Sequence, residues 1–208
     1  MHTEASRQSR SARLRHWLRR EMPPLLLTIA LLVLARSSFA NHYQVPSGSM
    51  LPALVPGDRV VVDMSAYGLR VPFTGFELLE RGRPEPGDVV VFKSPVDGTR
   101  LIKRVVAVGG QAVALVDGRL SIDGQVLAED AGAPGERIGG RLVRLDLTDG
   151  GGPDIALEVP PGMVLVLGDH RGASADGRYF GLVPEQAFYG KAVGVYWRSG
   201  QGPVWKRL

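Results

Sequence analysis

From residue 41 onward the chain alternates short apolar runs with breaks rich in Gly, Pro and Asp. The runs are rich in β-branched residues and too short for amphipathic helices, so the pattern predicts strands. Those strands are expected at Arg59–Asp63, Asp88–Phe92, Arg100–Val108, Val113–Val116, Arg119–Ile122, Leu142–Leu147, Met163–Leu167 and Lys191–Trp197. Several are almost continuously apolar, as in strands covered on both faces. Asp117-Gly118 and Asp123-Gly124 sit between or beside short runs and predict tight hairpin turns. Residues 128–141 and 148–154 are Gly-rich and weakly patterned. The expected fold is mainly β: an antiparallel sheet core, with residues 109–160 as an inserted, more exposed β subdomain.

The first 40 residues follow a different pattern. Residues 1–21 carry six arginines against Glu4 and Glu21, and Met22 to Ala35 is an apolar run without a charge. A basic flank ahead of an apolar segment predicts a cytoplasmic tail (1–21), a transmembrane helix (22–40) and an extracytoplasmic domain (41–208). The uncharged run alone covers roughly 21 Å of helix, short of the ~30 Å hydrocarbon core. Its neighbours Trp17, Leu18, Ser37, Ser38 and Phe39 extend the span if Arg36 snorkels to the interface. The same letters also fit a cleavable leader ending in Ser38-Phe39-Ala40. Both readings place residues 41–208 outside the cytoplasm.

Charge and composition narrow the function. The net charge of +4 equals that of residues 1–21 alone, so the remainder is balanced and offers no basic face for nucleic acid. Cysteine is absent, which excludes disulfides, thiolate metal sites and cysteine nucleophiles. The Gly-rich stretches Gly139-Gly140 and Gly150-Gly151-Gly152 lack the strand-to-helix setting of a phosphate loop. No metal or cofactor is expected.

Val45-Pro46-Ser47-Gly48-Ser49-Met50-Leu51-Pro52 presents a serine on a constrained turn just beyond the anchor. Such a turn projects a hydroxyl while neighbouring N–H groups converge, the arrangement an acyl-transfer nucleophile and its oxyanion hole require. The serine needs a base. Lys103 interrupts an apolar strand on the face of Leu101 and Val105, where desolvation favours the neutral amine that can accept a proton. His170 is the alternative, as part of a Ser49/His170/Asp triad. His42 directly follows the anchor, and His2 and His16 precede it. A third element, Gly168 to Tyr179, places two acids, Arg171, Arg178 and Ser174 in a loop after a hydrophobic strand.

These boxes, in this order, resemble bacterial type I signal peptidase, the membrane-anchored Ser/Lys leader peptidase family. The resemblance rests on P-S-G-S-M-x-P-x-L at Pro46 to Leu54, Gly57-Asp58, Tyr67-Gly68, Lys103-Arg104-Val105-Val106 and Gly168-Asp169-x-Arg171-x-x-Ser174-x-Asp176-x-Arg178. It implies Ser49 as nucleophile, Lys103 as general base, and an oxyanion hole from the Ser47 hydroxyl and Ser49 N–H. Ser174 would orient the lysine amine. Asp176 and Arg178 would pair beside the site, with Arg104 and Asp169 as further structural support.

The resemblance further implies a monomer in the bacterial inner membrane, facing the periplasm. It would cut preproteins after small residues at −1 and −3, with membrane lipid as its other partner. It favours the retained anchor, with Ser38-Phe39-Ala40 as a self-cleavage site. The chain departs from the family pattern at His170 (usually Asn), Gly177 (usually Ser) and Gly109-Gly110-Gln111. Two alternatives stand beside this reading: a peptidase that matures a single cargo, of the conjugative-transfer or pilin type, and a non-catalytic, membrane-tethered β-domain. Residues 71–79 are apolar in a turn-like setting and fit either lipid contact or ordinary core packing.

Overall fold

The computed structural model describes residues 17, 20–29, 40–70, 77–129 and 134–208. The anchor expected over 22–40 and the apolar segment 71–79 run into residues 30–39 and 71–76, and the Ser38-Phe39-Ala40 cleavage motif also falls almost wholly outside the described residues. Residues 20–29 are helical, and no helix among the described residues is long and apolar enough to cross a membrane.

Sixteen strands hold about half of the described residues from 40 onward. One eight-stranded sheet runs in the order β1 (Ala40–Gln44), β2 (Arg59–Asp63), β15 (Phe188–Arg198), β5 (Val89–Lys93), β6 (Arg100–Val108), β13 (Met163–Leu167) and β14 (Val183–Pro184), with β16 (Gly202–Arg207) paired to β15. Every ladder in it is antiparallel. The long β15 reaches three partners because one of its edges pairs with β5 over residues 188–192 and with β16 over residues 194–198, while β2 runs along the other edge.

Between β6 and β13 the chain leaves this sheet. Strands β7 (Ala112–Val116), β8 (Arg119–Ile122), β9 (Gln125–Val126) and β12 (Ile155–Glu158) form a four-stranded sheet, and β10 (Gly135–Ile138) pairs with β11 (Arg141–Arg144). Its hairpins turn at Asp117-Gly118 and Asp123-Gly124, where all four residues have positive φ, the geometry that matches strand twist in a two-residue turn. The inserted strands have no separate core. Val113, Leu115, Leu120, Ile122, Ile138 and Val143 pack in one buried cluster with Val106, Ala107, Leu165 and Leu167 of the main sheet.

The structure corrects several expected strand limits. The run expected at 142–147 ends at Arg144, and residues 135–138, which looked unpatterned, form β10. Strands β1, β3 (Gly68–Arg70), β4 (Glu77–Glu80), β9, β12, β14 and β16 were not expected from the pattern. They are short, polar or edge strands whose pairing comes from their neighbours more than from their own alternation.

Candidate active site

Two packed faces of β6 set the site. Leu101 and Val105, the same-face neighbours of Lys103, pack among Val90, Phe92, Val164, Val166 and Phe188. Lys103 thus stands on an apolar floor and is only 3 % exposed. On the other side, Val45, Met50 and Leu54 are buried with Val60, Val62, Val89 and Val91, which pins both ends of the serine turn. Hydrogen bonds Leu51 N to Gly48 O (3.0 Å) and Leu54 N to Met50 O (2.8 Å) coil the turn between those anchors.

The buried Asp58 braces the turn from behind. Its Oδ2 accepts from Val55 N (3.0 Å) and Arg198 Nη2 (2.8 Å). Gly57 precedes it at φ +89°, where a Cβ would lie 2.8 Å from Ser199 Oγ, so both backbone angle and space call for glycine.

This support brings Ser49 to Lys103: Nζ donates to Ser49 Oγ at 2.7 Å. Ser47 Oγ lies 3.4 Å from Ser49 Oγ, and the Ser49 N–H donates to no group among the described residues. Burial pulls the Lys103 ammonium down from 10.5 to about 8, against the opposing effect of Asp176 and Asp169, and with Arg178 adding to the fall. About a tenth of the amine is therefore neutral at pH 7, far more than for an ordinary lysine, and it is already in contact with a hydroxyl. That pair can deprotonate a serine.

The loop from Gly168 closes over the pair. A Cβ at Gly168 would lie 2.2 Å from Ser174 Oγ and 2.4 Å from Ser49 O, so only glycine lets Ser174 and the nucleophile backbone come this close. Ser174 is buried, and its hydroxyl has no hydrogen-bond partner among the described residues. The bond from Ser174 to the lysine amine that the resemblance implies is thus not made in this arrangement.

Asp176 accepts from Gly168 N (2.9 Å), caps the short helix Gly177–Phe180 and forms a two-pronged pair with Arg178 Nε and Nη2, both 2.8 Å. Arg104 pairs with Asp169 instead, through Nε (2.8 Å) and Nη2 (2.7 Å), while its Nη1 donates to Gly87 O (2.8 Å).

His170 meets Ser49 through the backbone, its N–H donating to Ser49 O at 3.2 Å. Its imidazole Nε2 lies 2.9 Å from Asp149 Oδ2 and 3.9 Å from Asp146 Oδ1. The ring thus faces the turn of the inserted strands, while Lys103 holds the serine hydroxyl. Among the described residues no group of three or more His, Asp or Glu is placed to hold a metal ion.

Two features escaped the sequence. Glu136 and Arg171, both almost fully buried, form an ion pair at 2.6 Å (Nη2 to Oε2). Arg171 also donates to Gly118 O, and Glu136 accepts from Leu120 N, which ties the loop to the inserted strands. A groove of about 260 Å³ also opens among Tyr43, Gln44, Pro46, Val60, Val91 and Arg100 to Ile102, next to both Ser47 and Lys103 in sequence.

Comparison with known proteins decides the family. The family model for signal peptidase, peptidase S26, matches residues 16–197. The chain belongs to this family. It is 34 % identical to signal peptidase I of Pseudomonas fluorescens and 33 % identical to that of Pseudomonas aeruginosa, each match covering 89 % of this chain and 73 % of the relative. A crystal structure of a signal peptidase I from Enterococcus faecalis aligns at 32 % identity with a TM-score of 0.43, over 54 % of this chain and 98 % of that one. As a member of peptidase S26, the protein is a hydrolase, a serine peptidase.

Proposed function

We propose that this peptidase removes signal peptides from exported preproteins by a Ser49/Lys103 dyad. The observation that carries the reading is the 2.7 Å contact between Ser49 Oγ and a buried lysine whose pKa is held near 8. Neutral Lys103 accepts the hydroxyl proton as Ser49 Oγ attacks the scissile carbonyl. The Ser47 hydroxyl and Ser49 N–H stabilise the resulting oxyanion. The lysine then gives its proton to the leaving amine, and the new N-terminus departs from an acyl-enzyme. Water hydrolyses the ester, its proton passing again to Lys103.

Ser174, buried with a hydroxyl free to turn, is the residue assigned to orient the amine during these transfers. Arg104, Asp169, Asp176 and Arg178 hold the loop that keeps it there.

The groove beside the dyad suits an extended peptide. β13 pairs only with Arg104–Val108 of β6, so residues 100–103 have one edge without a strand partner among the described residues, open to β-addition. Small side chains at −1 and −3 fit a shallow apolar groove of this size. The apolar segment over 22–40, following an arginine-rich tail, is assigned as an inner-membrane anchor with residues 41–208 in the periplasm, the enzyme acting as a monomer at the lipid surface.

The test is cleavage of a preprotein by the detergent-solubilised full chain, with the cut site read by mass spectrometry. Wild type and His170→Ala are expected to cut after a small residue, and Ser49→Ala and Lys103→Ala to leave the preprotein intact. Cleavage that survives Lys103→Ala and is lost in His170→Ala would move the chemistry to a triad.

A further inference from the structure

The substrate groove has one charged wall. Of its eight lining residues, Arg100 alone carries a formal charge, and no carboxylate lines the groove. The sheet curls so that β1 and β6, four strands apart in order, face the same space. Arg100 bridges them. Its guanidinium carbon lies 4.1 Å from the centroid of the Tyr43 ring on β1, and its Nε donates to Tyr189 Oη on β15 at 3.2 Å. Two aromatic side chains thus hold the guanidinium at the groove wall, which lowers the entropy cost of using it in recognition.

Nothing nearby neutralises that charge. Arg100 has no carboxylate partner among the described residues. Its cross-strand neighbour is Lys93, a second cation. Asp97, in the turn between β5 and β6, instead accepts from Thr99 N (3.1 Å) and Thr99 Oγ1 (2.8 Å). The buried arginines Arg104 and Arg171 face the carboxylates Asp169 and Glu136, whereas Arg100 is exposed and meets aromatic side chains and solvent. Arg100 is fixed, cationic and unpaired at the mouth of a binding groove.

We propose that Arg100 is a specificity-determining residue that selects substrates by charge, favouring an acidic side chain a few residues before the scissile bond and disfavouring a basic one. The inference rests on the peptidase reading above. Arg100 lies three residues from Lys103 on one strand, roughly 10 Å at 3.3 Å per residue. The odd spacing turns Arg100 to the opposite face from Lys103, so an extended substrate with its scissile carbonyl at Ser49 brings to the guanidinium the side chain about three residues away, which alternates to that same face. The contact is solvent-accessible, so its effect is modest and salt-sensitive.

The experiment uses the detergent-solubilised full chain and a set of preprotein-derived peptides. These differ only in carrying Glu, Gln or Lys at each position from the second to the fifth before the cut. Wild type is expected to show kcat/KM about three- to fivefold higher for Glu than for Lys at one of those positions, the preference shrinking in about 0.5 M salt. Arg100→Glu should reverse that order and Arg100→Gln should flatten it, the Glu-to-Lys ratio being read within each variant so that any general change in its activity cancels. An unchanged Glu-to-Lys ratio in both variants, with Ser49-dependent cleavage intact, overturns the role of Arg100 and leaves the peptidase reading standing. Failure of wild type to cleave any peptide or preprotein overturns both.

Discussion

Lys103 and Arg104 are adjacent on one strand and almost equally buried, yet the protein treats their charges in opposite ways. Arg104 meets a matched carboxylate in Asp169 and donates a third hydrogen bond to a backbone carbonyl. Lys103 meets a hydroxyl, and burial outweighs the pull of the nearby carboxylates on its pKa. A guanidinium cannot shed its proton in a protein, so burying it demands a partner. An amine can, so burying it without one yields a base. The two faces of β6 teach that one physical force, desolvation, builds a scaffold where it is compensated and a reactive group where it is not.

The largest effects should come from removing Lys103 and, separately, the carboxylate partner of Arg104. Lys103→Met should lower preprotein cleavage by about 10²-fold or more while leaving the fold intact or more stable, as read by single-turnover assay and thermal melting. The charge it removes is one the folded chain holds at a cost. Below about pH 8 both folded and unfolded chains keep the lysine proton, and the folded chain bears the full desolvation penalty. Between about 8 and 10.5 the folded chain releases the proton first, so stability should rise with pH across that window in the wild type and not in Lys103→Met.

Asp169→Ala should do the reverse. It strands the buried Arg104 and is expected to cost about 3–5 kcal/mol in denaturant unfolding. Its activity loss would follow from lost structure.

Gly168→Ala sharpens the comparison at a finer scale. The added methyl would press on Ser174 and the Ser49 carbonyl, so the loss in kcat is expected to exceed the loss in stability when both are expressed as free energies. At the small end, Arg137→Ala breaks the exposed pair with Glu129 and one exposed hydrogen bond to Gly140 O (3.2 Å), and should leave both melting temperature and activity nearly unchanged.

The two sides of β6 were not equally legible in the sequence. Ser49 and Lys103 stood out because each sits inside a short local pattern, a constrained turn in one case and an interrupted apolar strand in the other. The pairing of Asp176 with Arg178 is similarly local, two residues apart at the cap of one helical turn. Arg104 was expected near that pair and instead holds Asp169, a partner 65 residues away that alternation along β6 could not specify.

Glu136 was invisible, because an acid in a Gly-rich run looks solvated until the fold brings Arg171 against it from 35 residues away. The groove was hidden for a related reason. It needs β1, β2, β5 and β6 together, and β1 gave no strand pattern of its own. Local rules revealed the reactive residues, while long-range pairing supplied the frame and the substrate wall.

The most direct test of the central claim, that Lys103 acts as a neutral base on Ser49, is the pH dependence of kcat/KM for preprotein cleavage by the full chain. The account predicts a rate that rises about tenfold per pH unit below the transition and levels off with an apparent pKa of about 8, unchanged by His170→Asn. A flat profile, or a transition near that of an ordinary histidine that vanishes in His170→Asn, would contradict it.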